Sequence, residues 1–172
     1  MSGVVIETSR LRLRRMTAED APFILELLND PGFLRYIGDR GVRTLDDAVA
    51  YIANGPVASY ERHGFGLYVV TVGAPEVPIG IAGVLRRETL DDPDIGFAFL
   101  PAWRGQGYAR EAARAVLAHA ARDLGLRRLV AIVSPGNDPS RRLLEALGFR
   151  LEGRIRLSED AAEVDLFALD PL

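Results

Sequence analysis

Arg104-Gly105-Gln106-Gly107-Tyr108-Ala109 lies between an apolar stretch, Asp94-Ile95-Gly96-Phe97-Ala98-Phe99-Leu100, and the Ala-rich run Glu111-Ala112-Ala113-Arg114-Ala115-Val116-Leu117. The first flank is rich in β-formers and is stopped by Pro101, and the second is helical in composition. A glycine-bearing loop that opens a helix leaves several backbone N–H groups without intrahelical partners, pointing outward at the positive end of the helix dipole. Such a loop can hold a pyrophosphate without a metal ion.

Three phosphate loops have to be separated. A P-loop needs Gly-x4-Gly-Lys-Ser/Thr, and no Gly-Lys pair follows this strand. A dinucleotide fingerprint needs a third glycine where Arg110 stands, and an arginine there obstructs the close approach of helix to strand. The remaining pattern, Arg/Gln-x-x-Gly-x-Gly/Ala, is met by Arg104, Gly107 and Ala109. In this the loop resembles the acyl-coenzyme A pyrophosphate loop of the GNAT superfamily of N-acetyltransferases. The wider run from Pro101 to Ala112 is similar to the RimJ/RimL-type branch, with an aromatic residue (Trp103) before the loop and a Glu-Ala pair after it. Asn137-Asp138-Pro139-Ser140, followed by Leu143-Leu144-Glu145-Ala146-Leu147-Gly148-Phe149, resembles that branch's Asn-x-x-Ser … Glu-Lys-x-Gly-Phe block. Glu152-Gly153 and the opening Thr8-Ser9-Arg10-Leu11-Arg12-Leu13-Arg14 fit it as well, so the resemblance runs over nearly the whole chain.

The 172 residues are enough for one domain, read here as 1–172, and 48% apolar with 26% charged residues is ordinary for a globular protein. The absence of cysteine excludes disulfides, thiolate metal sites and a Cys nucleophile, and fits a reducing compartment. No apolar run approaches transmembrane length and no signal-type segment opens the chain, so the reading is cytoplasmic, without a membrane partner. A net charge of −3 argues against nucleic acid as a partner. His63 and His119 are far apart, which argues against a zinc or iron site; no metal is expected.

Along the chain, Ser9 to Met16 alternates Arg with Leu and predicts a strand. Thr17 caps a helix from about Ala18 to Leu28 that Pro31-Gly32 follows, and Thr44 caps another through Ile52 that Asn54-Gly55-Pro56 stops. A further helical turn is expected around Tyr60. Strands are predicted at Gly66–Val72, Ile79–Arg87, Asp94–Leu100, Leu129–Val133, Phe149–Arg156 and Val164–Leu169. Helices are predicted from Gly107 to about Leu124 and over Ser140–Leu147. That order, β-α-α-β-β-β-α-β-α-β-β, matches the α/β GNAT fold. The resemblance then implies a strongly twisted mixed sheet of about seven strands, with helices on both faces and a splayed strand pair holding acyl-CoA.

The resemblance also implies a site. The strands at Asp94–Leu100 and Leu129–Val133 splay to admit the pantetheine arm, and the backbone of Ala98, Phe99 and Leu100 pairs with its amides. The N–H groups of Arg104, Gly105, Gln106, Gly107, Tyr108 and Ala109 hold the pyrophosphate, and Asn137 and Ser140 contact the cofactor from across the gap. The reaction is direct attack of a neutral primary amine on the thioester of acetyl-CoA, releasing coenzyme A. It needs a proton acceptor, a donor to the thioester oxygen such as the N–H of Phe99 or Leu100, and a thiolate that can leave. Asp94 is the candidate base, against the alternative that Asp91, Asp92 and Asp94 form a solvated turn around Pro93. Many relatives carry a Tyr acid seven residues after the Asn; here that position is Leu144, which leaves Ser140 as the hydroxyl beside the sulfur.

Arg104 is a candidate phosphate contact, whereas Trp103 and Tyr108 read as packing residues. His63 is a candidate wall of the acceptor pocket, and His119 reads as a surface residue. Arg35, Tyr36 and Arg40 fall in the segment that shapes the acceptor site in this superfamily. Glu159, Asp160, Glu163 and Asp165 read as a solvated face or as a lure for a cationic amine. The acceptor is then a peptide N-terminus, ribosomal proteins being the branch's known case, or a small amine, and the protein a monomer or homodimer. The competing reading is a catalytically inactive acyl-CoA-binding module.

Overall fold

The computed structural model describes residues 3–172. Eight strands form one sheet in the order β1-β2-β3-β4-β5-β6-β8-β7. They are β1 (Val4–Glu7), β2 (Leu11–Arg14), β3 (Leu67–Val72), β4 (Val77–Leu85), β5 (Asp94–Phe99), β6 (Leu129–Val133), β7 (Arg150–Ile155) and β8 (Val164–Leu169). All neighbours are antiparallel except β5 and β6, which are parallel and meet at a single pair, Asp94 opposite Val130. The Val130 N–H donates to the Pro93 carbonyl at 3.0 Å. Beyond that pair the ladder ends, so the two strands part from a vertex at Asp94.

The sheet has one strand more than the sequence predicts. Val4–Glu7 pairs with β2 through the turn at Thr8–Arg10, and the predicted Ser9–Met16 strand contracts to Leu11–Arg14. In β2 the alternation works as read: Leu11 and Leu13 are buried, while Arg12 reaches Glu76 at 2.8 Å and Arg14 pairs with buried Asp20 at 2.7 Å.

Six α-helices surround the sheet: α1 (Ala21–Leu28), α2 (Pro31–Tyr36), α3 (Leu45–Ile52), α4 (Ala58–His63), α5 (Tyr108–Arg122) and α6 (Asp138–Ala146). One helix was not predicted, and one expected stop is not a stop. Pro31 begins α2, because a proline at the first helical position loses no intrahelical bond, and the Asp30 carboxylate caps the helix by accepting the Phe33 N–H at 3.2 Å. At Asn54-Gly55-Pro56 the chain stays helical, passing from α3 into α4 through one widened turn, Ala53–Val57, that absorbs Pro56. Thr44 does cap α3, accepting the Asp47 N–H while Asp47 accepts the Thr44 N–H.

Helix α5 crosses β1, β2, β4 and β5. It approaches closely because its inward stripe is small: Ala112, Ala113, Val116 and Ala120 have no exposure. A leucine in place of Ala113 would overpack this seam at a cost of roughly 1–3 kcal/mol. His119 lies on the same stripe, which corrects its reading as a surface residue. It is buried, meets the edge of Tyr68 at 6.0 Å, and its Nδ1 lies 2.7 Å from Asp123 Oδ2. Gly80 in β4 serves the cleft directly, since a Cβ there would fall 2.5 Å from the Phe99 ring.

Candidate active site

The gap between β5 and β6 widens into a cleft of about 600 Å³. One wall is β5, the other is β6 with the start of α6, and α2 lies across it. Helix α2 is latched on both sides: its cap Asp30 pairs with Arg104 at 2.7 Å, and its Tyr36 carbonyl accepts the Ser134 hydroxyl at 2.6 Å. Neither latch was legible in sequence, because the partners are 74 and 98 residues apart.

At the open end lies the loop before α5. Gly107 caps the helix with φ 84°, a conformation that favours glycine, and Gly105 has φ 74° with open space where a Cβ would stand. The N–H groups of Gly105 through Arg110 have no acceptor among the described residues, whereas the Arg104 N–H donates to the Pro101 carbonyl. Six successive donors at a helix N-terminus form a cradle for an anion. Of these residues Gly105, Gly107, Ala109 and Arg110 line the cleft, and unpaired donors there suit an anion such as a pyrophosphate.

The side chains around the loop are engaged within the protein, Tyr108 and Trp103 in packing as expected. Arg104 turns away from the cradle; its Nε donates to the Phe99 carbonyl at 3.0 Å and its guanidinium pairs with Asp30. It is a bracket between β5 and α2 rather than a free cation. Gln106 folds back, donating from Nε2 to the Ala102 carbonyl at 3.0 Å. Tyr108 packs under Arg10, 4.4 Å from the guanidinium to the ring centre, and beside Trp103.

Arg10 and Thr8 give the N-terminal motif a physical role that sequence reasoning missed. Arg10 donates to the Gln106 carbonyl at 3.1 Å and to Glu111 at 2.6 Å, and the Thr8 hydroxyl donates to the other Glu111 oxygen at 2.5 Å. Burial pushes the Glu111 carboxyl up, but these hydrogen bonds outweigh it and hold the group below its usual range. The loop is thereby tied to β1, β2 and α5 at once.

Strand register corrects the expected backbone contacts. The Leu100 N–H donates to the Ile79 carbonyl at 2.9 Å, and antiparallel alternation turns Ala98 toward β4 as well. The backbone groups facing the gap therefore belong to Phe97 and Phe99. Ala98 still lines the cleft, whereas Leu100 is buried outside it.

Asp94 stands at the vertex with 1% exposure, so it is no solvated turn. Asp92 does belong to a surface pair, with Arg128 at 2.9 Å. Arg87, another residue the sequence did not single out, donates from Nε to both Asp94 oxygens at 3.3 and 3.2 Å. Burial pushes the Asp94 carboxyl up to about 6, and the Arg87 pairing only partly opposes it. Such a carboxylate is ionised at neutral pH yet more basic than an ordinary one.

Across the gap, Asn137 caps α6, its side-chain oxygen accepting the Ser140 N–H at 3.4 Å. The Ser140 hydroxyl has no partner among the described residues, and both residues line the cleft. Leu144 is buried beside them. Tyr36, Arg40 and Tyr51 also line the cleft. Arg35 stacks on Tyr36 from outside, and His63 borders a smaller hollow that shares Tyr51, Leu67 and Leu85 with the cleft. Of the late acidic residues, Asp165 pairs with Arg154 at 3.2 Å.

A mixed α/β sheet parted at one parallel strand pair, with unpaired backbone donors at one end of the gap and a buried carboxylate at the other, is shared with known acyltransferases. The chain belongs to the acetyltransferase (GNAT) domain family, whose model matches residues 10–150. It is 30% identical over 148 residues to YnaD of Bacillus subtilis (strain 168), described as an uncharacterized N-acetyltransferase, covering 86% of this chain and 84% of that one. Among solved structures, an acetyltransferase from Agrobacterium tumefaciens str. C58 is 25% identical with a TM-score of 0.81, covering 95% and 92% of the two chains. RimL, a ribosomal L7/L12 alpha-N-protein acetyltransferase in complex with coenzyme A, shares the fold at 19% identity with a TM-score of 0.83, covering 98% of each chain. Among the described residues no helix is long and apolar enough to cross a membrane, and no group of three or more His, Cys, Asp or Glu is placed to hold a metal ion.

Proposed function

We propose that the protein is an acetyl-CoA-dependent N-acetyltransferase of the RimJ/RimL type, acting on a primary amine by direct attack in a ternary complex. The observation that carries this reading is the continuity of the cleft from the Gly105–Arg110 donors to Asp94. Five residues of extended chain separate Asp94 from Phe99, about 17 Å, so one elongated ligand spans both ends.

Acetyl-CoA supplies an activated acyl carbon. The chain's residues do the rest. The donors of Gly105 through Arg110 hold the pyrophosphate, and the Phe97 and Phe99 backbone groups pair with the arm as an added strand would. One of those N–H groups stabilises charge developing on the thioester oxygen. Asp94 takes the ammonium proton, directly or through water, and Arg87 fixes its orientation. The Ser140 hydroxyl hydrogen-bonds the departing sulfur, where Leu144 offers no acid. The acceptor is a peptide N-terminus, as for RimL, an alpha-N-protein acetyltransferase, or a small amine, and the protein works in the cytoplasm as a monomer or homodimer.

The buried Leu144 in the acid's place favours one rival, a binding module without turnover. A thiol-release assay with acetyl-CoA and a panel of peptides, polyamines, aminoglycosides and amino acids decides between them. Release that depends on an amine supports the transferase. Tight acetyl-CoA binding with no release from any amine would support the binding module.

A further inference from the structure

The chain is acidic overall, but its cleft is not. The charged residues lining it are Arg40, Arg87, Arg104 and Arg110 against a single carboxylate, Asp94. Two of these arginines are accounted for: Arg104 is neutralised by Asp30, and Arg110 stands on the first turn of α5 beside the donor cradle. Of the other two, Arg87 pairs with Asp94 at the vertex, and Arg40 lines the cleft 6.0 Å from the Phe33 ring. Arg87 uses only Nε on Asp94, and its terminal nitrogens have no acceptor among the described residues. Arg40 has no carboxylate partner there; the neighbouring Asp39 is engaged by Arg43 at 2.5 Å.

Tyr51 joins the two. Its ring lines the same cleft as both guanidinium groups. Arg40, Tyr51, Arg87 and Asp94 thus share one cleft, three donors with the proposed base, and Arg87 touches Asp94 at 3.2 Å. Two guanidinium forks facing one cleft match a carboxylate or phosphate, and repel a second cation.

We infer that the amine acceptor carries an anionic group, a carboxylate or phosphate, close to its reacting nitrogen, and that Arg40 and Arg87 bind it while Asp94 faces the amine. This rests on the transferase reading and narrows its acceptor. It disfavours polyamines and basic peptides, which the net charge alone would have admitted. The anion can come from a free amino acid, from an acidic residue near a peptide N-terminus, or from a phosphorylated amine.

The test uses acceptor pairs that differ only in the anion: amino acids against their carboxamides, peptides with Asp or Asn at the second position, and phosphoethanolamine against ethanolamine. Both kcat/KM and calorimetric binding to the protein without acetyl-CoA are measured, for wild type, Arg40→Gln and Arg87→Lys. In at least one pair the anionic member should be favoured about tenfold or more, and Arg40→Gln should remove the preference. Added salt should weaken it. The pair that responds identifies the source of the anion. Equal use of neutral members in every pair, or a preference that survives Arg40→Gln, would overturn the inference while leaving the transferase intact. Anion-dependent binding lost in Arg40→Gln, with no acetyl transfer to any amine, would sustain the anion site and overturn the transferase.

Discussion

At the open end of the cleft the groups proposed to meet the ligand are backbone N–H donors of the Gly105–Arg110 loop, which have no acceptor among the described residues. Toward the vertex the cleft is lined by side chains, Asp94 with Arg87 on it, and Tyr36, Arg40 and Tyr51 line the same cleft, brought in from α2, α3, β5 and the segments beside them. A backbone cradle depends on conformation, and many side chains are tolerated around it. A side-chain pocket depends on identity and charge, so single substitutions re-aim it. The first end therefore suits a ligand part common to a whole family, and the second suits whatever distinguishes one acceptor from another.

The sharpest way to break this contrast is at Asp94. Asp94→Asn should lower kcat/KM by about 100-fold or more, within the range of general-base losses, while leaving acetyl-CoA binding intact. It should also stabilise the fold at neutral pH. The carboxyl has its pKa raised from 3.8 to about 6, so the native state binds more protons than the unfolded chain between those values, and wild-type stability falls as pH rises through that window. The Asn variant escapes this cost, about 3 kcal/mol from two pKa units, and the gain should vanish near pH 3.8 in thermal melts.

A smaller effect is expected at the backbone end. Gly107→Val forces a β-branched residue to φ 84° and brings its Cβ within 3.3 Å of Arg10. The acetyl-CoA KM should rise about tenfold with kcat less changed, since uniform binding is what the cradle supplies. Arg10→Ala removes the brace on the Gln106 carbonyl and on Glu111 but keeps the loop's glycines, so a rise of roughly threefold to fivefold in the same KM is expected. Ser140→Ala should be mildest, under about fivefold in kcat/KM, because a thiolate leaves without strong assistance. A larger loss at Ser140 than at Asp94 would move the chemistry to the other wall.

The two ends also differ in how far sequence reveals them. The cradle is local: Gly105 and Gly107 sit between a strand and a helix, so spacing alone exposes it. The strand order was legible for the same reason, through alternation in β2 and the small-residue stripe of α5. The vertex is not local. Arg87 acquires its meaning from Asp94 through a sheet register, and Arg104 is reassigned by Asp30, 74 residues earlier. Helix α2 was missed because it is only six residues long, although its Pro31 suits a first helical position. Val4–Glu7 was missed because a short edge strand has too few residues for its period to register. Which backbone groups of β5 face the gap also depends on pairing, and a one-residue change of phase exchanges Ala98 and Leu100 for Phe97 and Phe99.

The most direct test is the pH profile of amine-dependent thiol release, kcat/KM against pH, for wild type and Asp94→Asn with one accepted amine. The wild type should gain activity through a limb near pH 6, and the variant should lose that limb along with most of its rate. An unchanged profile in Asp94→Asn would show that Asp94 does not take the proton, and that the vertex of the splayed strands is not where the chemistry occurs.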